Sequence, residues 1–319
     1  MKIDPATGQA PDVPPGPATS ADAAHPTGSA KDRRSTHSAP TAVGNAARDI
    51  PHSPHRPGST FGRLIGVSLG PGDPDLITRR GWTALQSGAR WTYPVKKAES
   101  GSYALDIVRR GGLAVPGDAE ALVFPMTRDA LALARAWARA AARTVALLAE
   151  GRDVVFLVEG DASTFSTFGH LARTVRELAP TVDVETIPGI SSFAAASARV
   201  QRPLAEEDDT FAVVPAAYGI DVIARLLPDF DTLILLKVKP LLDDLIDLLA
   251  ARGLLGQACF VEKVGSPEER VVHDVAGLRG EKVNYLSLLL VRNPGRIRGE
   301  LQRGCRKKPT VVVAEEAPG

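Results

Sequence analysis

The chain has 319 residues, 44% of them hydrophobic and 5% aromatic, with 38 Lys and Arg against 37 Asp and Glu. That balance lacks the basic excess of a general nucleic-acid binder, and no uncharged apolar run reaches the roughly 18 residues of a membrane span. Two cysteines, Cys259 and Cys305, are too few for a disulfide framework or a thiolate zinc site, and the near-zero charge balance makes a small-molecule substrate the expectation.

Residues 1–60 hold 10 of the 25 prolines, four of the six histidines and no Phe, Trp or Tyr. Such a segment buries too little surface to offset its ordering entropy, and a disordered tail is expected there. Met1 to Ser20 contains no apolar core of export-signal length, so cytoplasmic residence is expected. From Phe61 to about Arg298, strand and helix patterns alternate and predict an α/β architecture. Strands are expected over Leu64–Leu69, Trp91–Val95, Val154–Val158, Val182–Ile187, Phe211–Val214, Thr232–Lys237, Ala258–Glu262 and Asn284–Val291. Helices are expected over Leu76–Gln86, Arg128–Ala149, Phe165–Leu178, Ile190–Arg199, Ile220–Leu227 and Pro240–Ala251. Arg109–Asp118 reads as a loop, either a mobile flap or a plain surface connection. About 240 folded residues exceed one compact core, which predicts two α/β domains with a ligand cleft between them. The domains are placed at 61–187 and 188–298, parting at Pro188–Gly189, with a basic irregular tail over 299–319.

Three glycine turns each follow a strand. In the first, Gly66, Gly70 and Gly72 permit unusual backbone angles and close ligand approach, and Asp75 or Thr78 can cap a helix beginning near Leu76. Neither the P-loop nor the dinucleotide spacing is present. The second turn runs from Glu159 to Phe165, where Asp161 either meets a cationic ligand or caps a helix, and Ser163 and Thr164 read as helix-start residues. In the third, Ser191 and Ser192 suit a carboxylate or a ribose, or form an ordinary N-cap. Open α/β sheets bind ligands beyond the carboxyl ends of their strands, so the turns can embrace one ligand. No Gly-x-Ser-x-Gly, His-x-x-x-His or Cys-x-x-Cys occurs, which leaves no hydrolase elbow and no metal site, and His170 and His273 read as structural.

In this order, Gly66–Thr78, Glu159–Asp161 and Ile187–Ser192 resemble the motifs of the tetrapyrrole methylases, which use S-adenosylmethionine. Ala104–Arg110, Val123–Asp129, Ser163–Phe168 and Pro267–Val272 look like the precorrin-2 C(20)-methyltransferase branch. The resemblance implies two α/β domains, a cofactor folded into their cleft and a homodimer. It places Pro71 and Gly72 on the first cofactor loop, Gly160, Asp161, Ala162 and Phe165 on the second, and Ser191 and Ser192 on the third. The backbone at Val214, Pro215, Ala216 and Lys237 would border the adenosine. Ala162 stands where the family commonly has proline. A polycarboxylate tetrapyrrole would pair with Arg109, Arg110 and Arg128, with Lys96 and Lys97 as second choices, and Asp161 or a water would receive the departing proton. Two other readings stay open: a diphthamide or ribosomal RNA methylase of the same superfold, and a non-catalytic tetrapyrrole-binding protein.

Overall fold

The run Leu64–Ser68 is apolar at nearly every position because helices cover both faces of the strand it forms, β1, and all five residues are buried. The computed structural model describes residues 60–127 and 129–299. Arg128 and all but one residue at the inner end of each expected tail lie outside that range. With β2 (Arg90–Val95), β3 (Glu120–Val123), β4 (Val154–Val158) and β5 (Val184–Ile187), β1 builds a parallel sheet in the order β3-β2-β4-β1-β5.

Its helices are α1 (Arg79–Leu85), α2 (Tyr103–Arg110), α3 (Ala130–Leu148) and α4 (Phe168–Leu178). Alternation along β4 sends Val154, Phe156 and Val158 into a core with Ala140, Leu147, Leu171 and Val175 of α3 and α4. Val155 and Leu157 face the other way, onto Ala84, Ala104 and Ile107 of α1 and α2. Gly66 lies in the middle of β1 beneath the Phe168 ring, so its lack of a side chain serves packing within the core.

The second sheet has the order β6-β7-β10-β8-β9, from β6 (Phe211–Pro215), β7 (Thr232–Leu236), β8 (Ala258–Glu262), β9 (Arg270–Val272) and β10 (Ser287–Arg292). Only the β6–β7 pair is parallel. Ala196 of α5 (Ser192–Arg199) packs on Ile234, Cys259 and Leu288, while α6 (Ile220–Leu226) and α7 (Leu242–Ala251) cover Leu235, Phe260 and Leu289 on the opposite face. All described residues fall within one compact unit. Among them, no helix is long and apolar enough to cross a membrane.

Several boundaries differ from the sequence reading. The helix expected from Leu76 is split: Pro74–Leu76 is a 3-10 turn capped by Asp73, and α1 starts at Arg79, where Thr78 Oγ1 accepts from Gly81 N–H at 3.1 Å. Asp75 caps nothing; its own N–H donates to Asp73 Oδ1 at 2.9 Å. Helix α2 occupies a stretch with no expected element, and Leu113 and Val115 anchor the connection after it to the core.

Asp231 ties the start of β7 to the end of β10. Its carboxylate accepts from Thr210 N–H at 2.8 Å and Arg298 Nε–H at 3.0 Å, with Arg296 as a third donor. Burial raises the pKa of this carboxyl, but the Thr210 amide and the two guanidinium groups outweigh it and hold the value well below the carboxylate range. A depressed folded-state pKa contributes stability above about pH 3.9 that is lost as the pH falls below it. The covering groups are partly solvated arginines, so the magnitude of one charge-assisted hydrogen bond applies. Asp231→Asn is expected to lower stability by about 2 kcal/mol at neutral pH. In urea denaturation that difference should shrink as the pH falls below about 3.9, where the unfolded wild-type chain takes up the proton that the folded carboxylate refuses.

Candidate active site

The carboxyl ends of β4, β1 and β5 are neighbours, so the three glycine turns that follow them meet along one edge. Gly70 (φ +72°) and Gly160 (φ +73°) exchange backbone bonds, Gly70 N–H to Gly160 O at 3.1 Å and Gly160 N–H to Gly70 O at 2.7 Å. Buried Ser68, at the end of β1, donates its hydroxyl to Ile187 O at 2.6 Å and accepts from Ala162 N–H at 2.8 Å. One hydroxyl therefore joins all three turns. Gly189 lies so close that a Cβ there would come within 3.0 Å of Gly160 O and overlap Ser68 Cβ.

Asp161 completes the join. Its Oδ1 accepts from Gly189 N–H at 3.2 Å and Ser163 N–H at 3.3 Å, and its Oδ2 from the hydroxyls of Ser163 and of Thr164, the latter at 2.7 Å. Partial burial raises its pKa, but the hydroxyl and amide donors outweigh that and hold it below the carboxylate range. A carboxylate so engaged is a clasp and a weak base. Ser163 and Thr164 bond to it rather than opening a helix, since α4 begins at Phe168 after Thr167.

The first turn is braced from α2. Tyr103 donates its hydroxyl to Pro71 O at 3.3 Å, and Arg110 donates Nη2–H to Gly72 O at 2.6 Å and Nε–H to Asp106 at 2.9 Å. Arg110 is thus a loop brace, whereas Arg109 is exposed at the helix end and Arg128 lies outside the described residues. Arg110→Ala is expected to lower stability by about 1.5 kcal/mol, and Arg110→Lys to recover only part, because an ammonium cannot hold both acceptors in a fixed fork. Thermal melts of the two variants check this.

Pro215, Ala216 and Lys237 gather on the second sheet. Pro215 pairs with Leu236, and Lys237 (φ +58°) donates N–H to Ser287 O at 3.1 Å. Ala216 is fully buried, so only its backbone can face a ligand. Phe165 holds φ +51° and is 55% exposed, a strained position for a residue with a side chain. Ser191 is the N-cap of α5 yet makes no capping bond through its hydroxyl, and Ser192 opens the helix.

The two sheet edges face each other across a groove. A Cβ on Gly72 would come within 2.6 Å of Val264 O, and one on Gly265 (φ +75°) within 2.8 Å of Asp73 N. Gly72 therefore serves packing between the halves. Across this contact, Lys96 Nζ lies 5.9 Å from the centre of the Tyr285 ring. Glu159 follows the last residue of β4 and is exposed. Partial loss of water raises its carboxyl pKa, and the charge of Lys96 draws it back. Sequence reasoning assigned no role to Tyr103 or Glu159. Glu159 was visible as the polar residue following an apolar strand.

Chemically, the edge offers backbone groups, hydroxyls and an open face at Gly160, where an added Cβ would meet nothing within 4 Å. No cluster of three metal-ligating side chains occurs among the described residues.

Comparisons with known proteins follow the same outline. Residues 63–278 match the family Tetrapyrrole (Corrin/Porphyrin) Methylases. The chain is 32% identical over 275 residues to the cobalamin biosynthesis protein CobIJ of Mycobacterium tuberculosis (strain ATCC 25618 / H37Rv), a match covering 82% of this chain and 50% of that protein. It therefore spans about half the length of that relative. It is 34% identical over 233 residues to the cobalt-precorrin-2 C(20)-methyltransferase of Salmonella typhimurium (strain LT2), covering 72% of this chain and 96% of that one. The fold is shared with a crystal structure of uroporphyrin-III C-methyl transferase from Thermus thermophilus complexed with S-adenyl homocysteine. The TM-score is 0.50 at 23% identity, over 72% of this chain and 97% of that one.

Proposed function

Because the chain belongs to the tetrapyrrole (corrin/porphyrin) methylase family, we propose that it methylates C(20) of precorrin-2, or of its cobalt form, in cobalamin biosynthesis. The observation that carries this reading is the joining of three motif-bearing turns into one edge by Ser68 and Asp161. S-adenosylmethionine fits that edge: the face at Gly160 is open to close approach, and the hydroxyl of Ser191 is not used in capping. When bound it supplies an activated methyl group on a sulfonium. Pro71, Gly160, Ala162, Phe165 and the two serines would hold it from the first sheet, and the backbone at Pro215, Ala216 and Lys237 from the second. Gly72, seated against Val264, fixes the shape of the first turn.

The protein's own contribution is orientation. Holding donor and acceptor carbons in line supplies several kcal/mol of barrier reduction without acid-base machinery for the methyl step itself. The carboxylates of the substrate require cations, and exposed Arg109, Lys96 and Lys97 border the groove or end α2. The reading includes a homodimer in the cytoplasm and no nucleic-acid partner.

Incubating the full chain with S-adenosylmethionine and with either tetrapyrrole, then weighing the products, tests the proposal. A product heavier by one methyl group supports it; binding with no release of S-adenosylhomocysteine would leave a tetrapyrrole carrier. Arg109→Ala is expected to raise the tetrapyrrole KM about tenfold with S-adenosylmethionine affinity within twofold, an effect that salt should shrink. Gly160→Val is expected to weaken S-adenosylmethionine at least tenfold, about 1.4 kcal/mol, measured by calorimetry on a variant shown to be folded. Unchanged affinity there would remove the second turn from the cofactor site.

A further inference from the structure

We infer that a hollow between the ends of β7 and β8 and the start of β10 takes one carboxylate arm of the tetrapyrrole, and that Glu268 holds the place on Lys263 until the substrate displaces it. The inference rests on the methyltransferase reading and adds a second cationic wall, apart from Arg109. Strand β10 runs antiparallel to both β7 and β8, and β6 runs parallel to β7. The carboxyl ends of β6, β7 and β8 therefore share the edge that carries Pro215, Ala216 and Lys237, and β10 brings its amino end there. Along that edge a hollow of about 380 Å³ is lined by Lys239, Lys263, Lys282, Glu262, Glu268 and Asn284. It abuts the groove at two points. Val264 and Gly265, which follow Lys263, meet Gly72 and Asp73 of the first turn, and Tyr285, which follows Asn284, lies beside Lys96.

The charges of this hollow are unequally committed. Glu262 accepts from Asn284 N–H and lies 3.6 Å from Arg270 Nε, with a side chain only 13% exposed, so it belongs to the wall. Lys239 and Lys282 are exposed and make no ion pair among the described residues. Lys263 pairs with Glu268, whose side chain is 70% exposed; a pair with so solvated a partner contributes little and is readily exchanged for another carboxylate. Asn284 Oδ1 accepts from Leu286 N–H at 2.9 Å, which leaves its amide N–H groups as further donors. Three ammonium groups and an amide suit an acid arm. The hollow at Arg292, Arg296 and Arg298 offers no such cation, since each guanidinium there is paired with Asp209 or Asp231. Lys263 also holds φ +48°, a strained angle for a residue with a side chain, fixed by its N–H bond to Leu286 O at 2.8 Å. The turn beyond it is held without the Lys263–Glu268 pair: Ser266 N–H donates to Lys263 O at 3.0 Å, and Gly265 N–H donates at 2.7 Å to Glu269, which pairs with Arg199.

Breaking a purely structural ion pair has the same direction of effect whichever partner is removed, whereas a place-holder gives opposite directions. The test titrates the full chain with precorrin-2 and with cobalt-precorrin-2 in the presence of S-adenosylhomocysteine, following the visible absorption of the tetrapyrrole. Lys263→Gln is expected to raise the tetrapyrrole Kd about tenfold and Lys282→Gln about threefold, while Glu268→Gln lowers it about threefold. All three shifts should shrink as salt rises from about 0.05 to 0.5 M. Asp247→Asn is the control: it removes the same charge from an exposed pair with Arg279 on α7 and is expected to leave Kd unchanged. Glu268→Gln and Lys263→Gln shifting Kd in the same direction, or neither shifting it, would overturn the inference, as would an Asp247→Asn chain that matches Glu268→Gln. Should Lys263→Gln fail to fold, Lys282→Gln at its exposed position decides, and an unchanged Kd there removes the cationic wall. A wild-type chain that binds and methylates neither tetrapyrrole would overturn instead the function on which the inference rests.

Discussion

Gly189→Ala should weaken S-adenosylmethionine binding at least tenfold and lower the melting temperature by roughly 5–10 °C. An added Cβ would overlap Ser68 Cβ and press on Gly160 O, and neither is the free end of a flexible side chain. Ser68 is buried and its hydroxyl holds Ile187 and Ala162, so displacing it strains two strand ends at once. Overpacking of this kind costs about 2–3 kcal/mol, before the loss of the Ser68 bonds is counted. Gly169→Ala is the control, since a Cβ there meets nothing within 4 Å and alanine favours the helix. If Gly189→Ala melts and binds like wild type, the three turns are not joined as described.

Gly66→Ala should destabilise the protein by about 3 kcal/mol without reaching the ligand edge. The new carbon would fall within 2.7 Å of Phe168 Cγ, and that ring is 2% exposed and stacked on Phe156 with centres 6.1 Å apart. The ring has nowhere to go. For a chain of this size the loss corresponds to roughly 6–12 °C in melting temperature. Adding Phe168→Leu should restore part of it, because the two residues share one space and their effects cannot be additive. A double variant less stable than the sum of the singles would point to strain in β1 itself.

Much of this was legible in the sequence where the signal is local. The apolar runs Val154–Val158 and Ala258–Glu262 match β4 and β8 residue for residue, since a strand buried on both faces tolerates little else. Thr78 was readable as one of two candidate caps because its hydroxyl acts within one turn, although the helix it caps starts at Arg79 and not near Leu76. The glycines at 66 and 72 were attributed to ligand approach, and their actual neighbours, Phe168 and Val264, lie far along the chain. Arg110 looked like a substrate cation because nothing local reveals that Gly72 O awaits it. Helix α2 was overlooked although Ser102 precedes the amphipathic run Tyr103–Arg110; glycines at 101 and 111–112 gave the stretch the look of a loop. Strand β3 is four residues at a sheet edge, too short for its alternation to register.

The contact of Gly72 with Val264 and of Asp73 with Gly265 has a bearing on how substrates of different girth can be accommodated. Main chain lies against main chain there, so the spacing at that end of the groove is gauged by backbone thickness and is indifferent to side-chain substitutions elsewhere. Grafting the second sheet of a relative onto the first sheet of this chain would preserve the gauge as long as both glycines survive. Side-chain changes that alter the width would then act at the far rim, where Lys96 Nζ lies 5.9 Å from the centre of the Tyr285 ring.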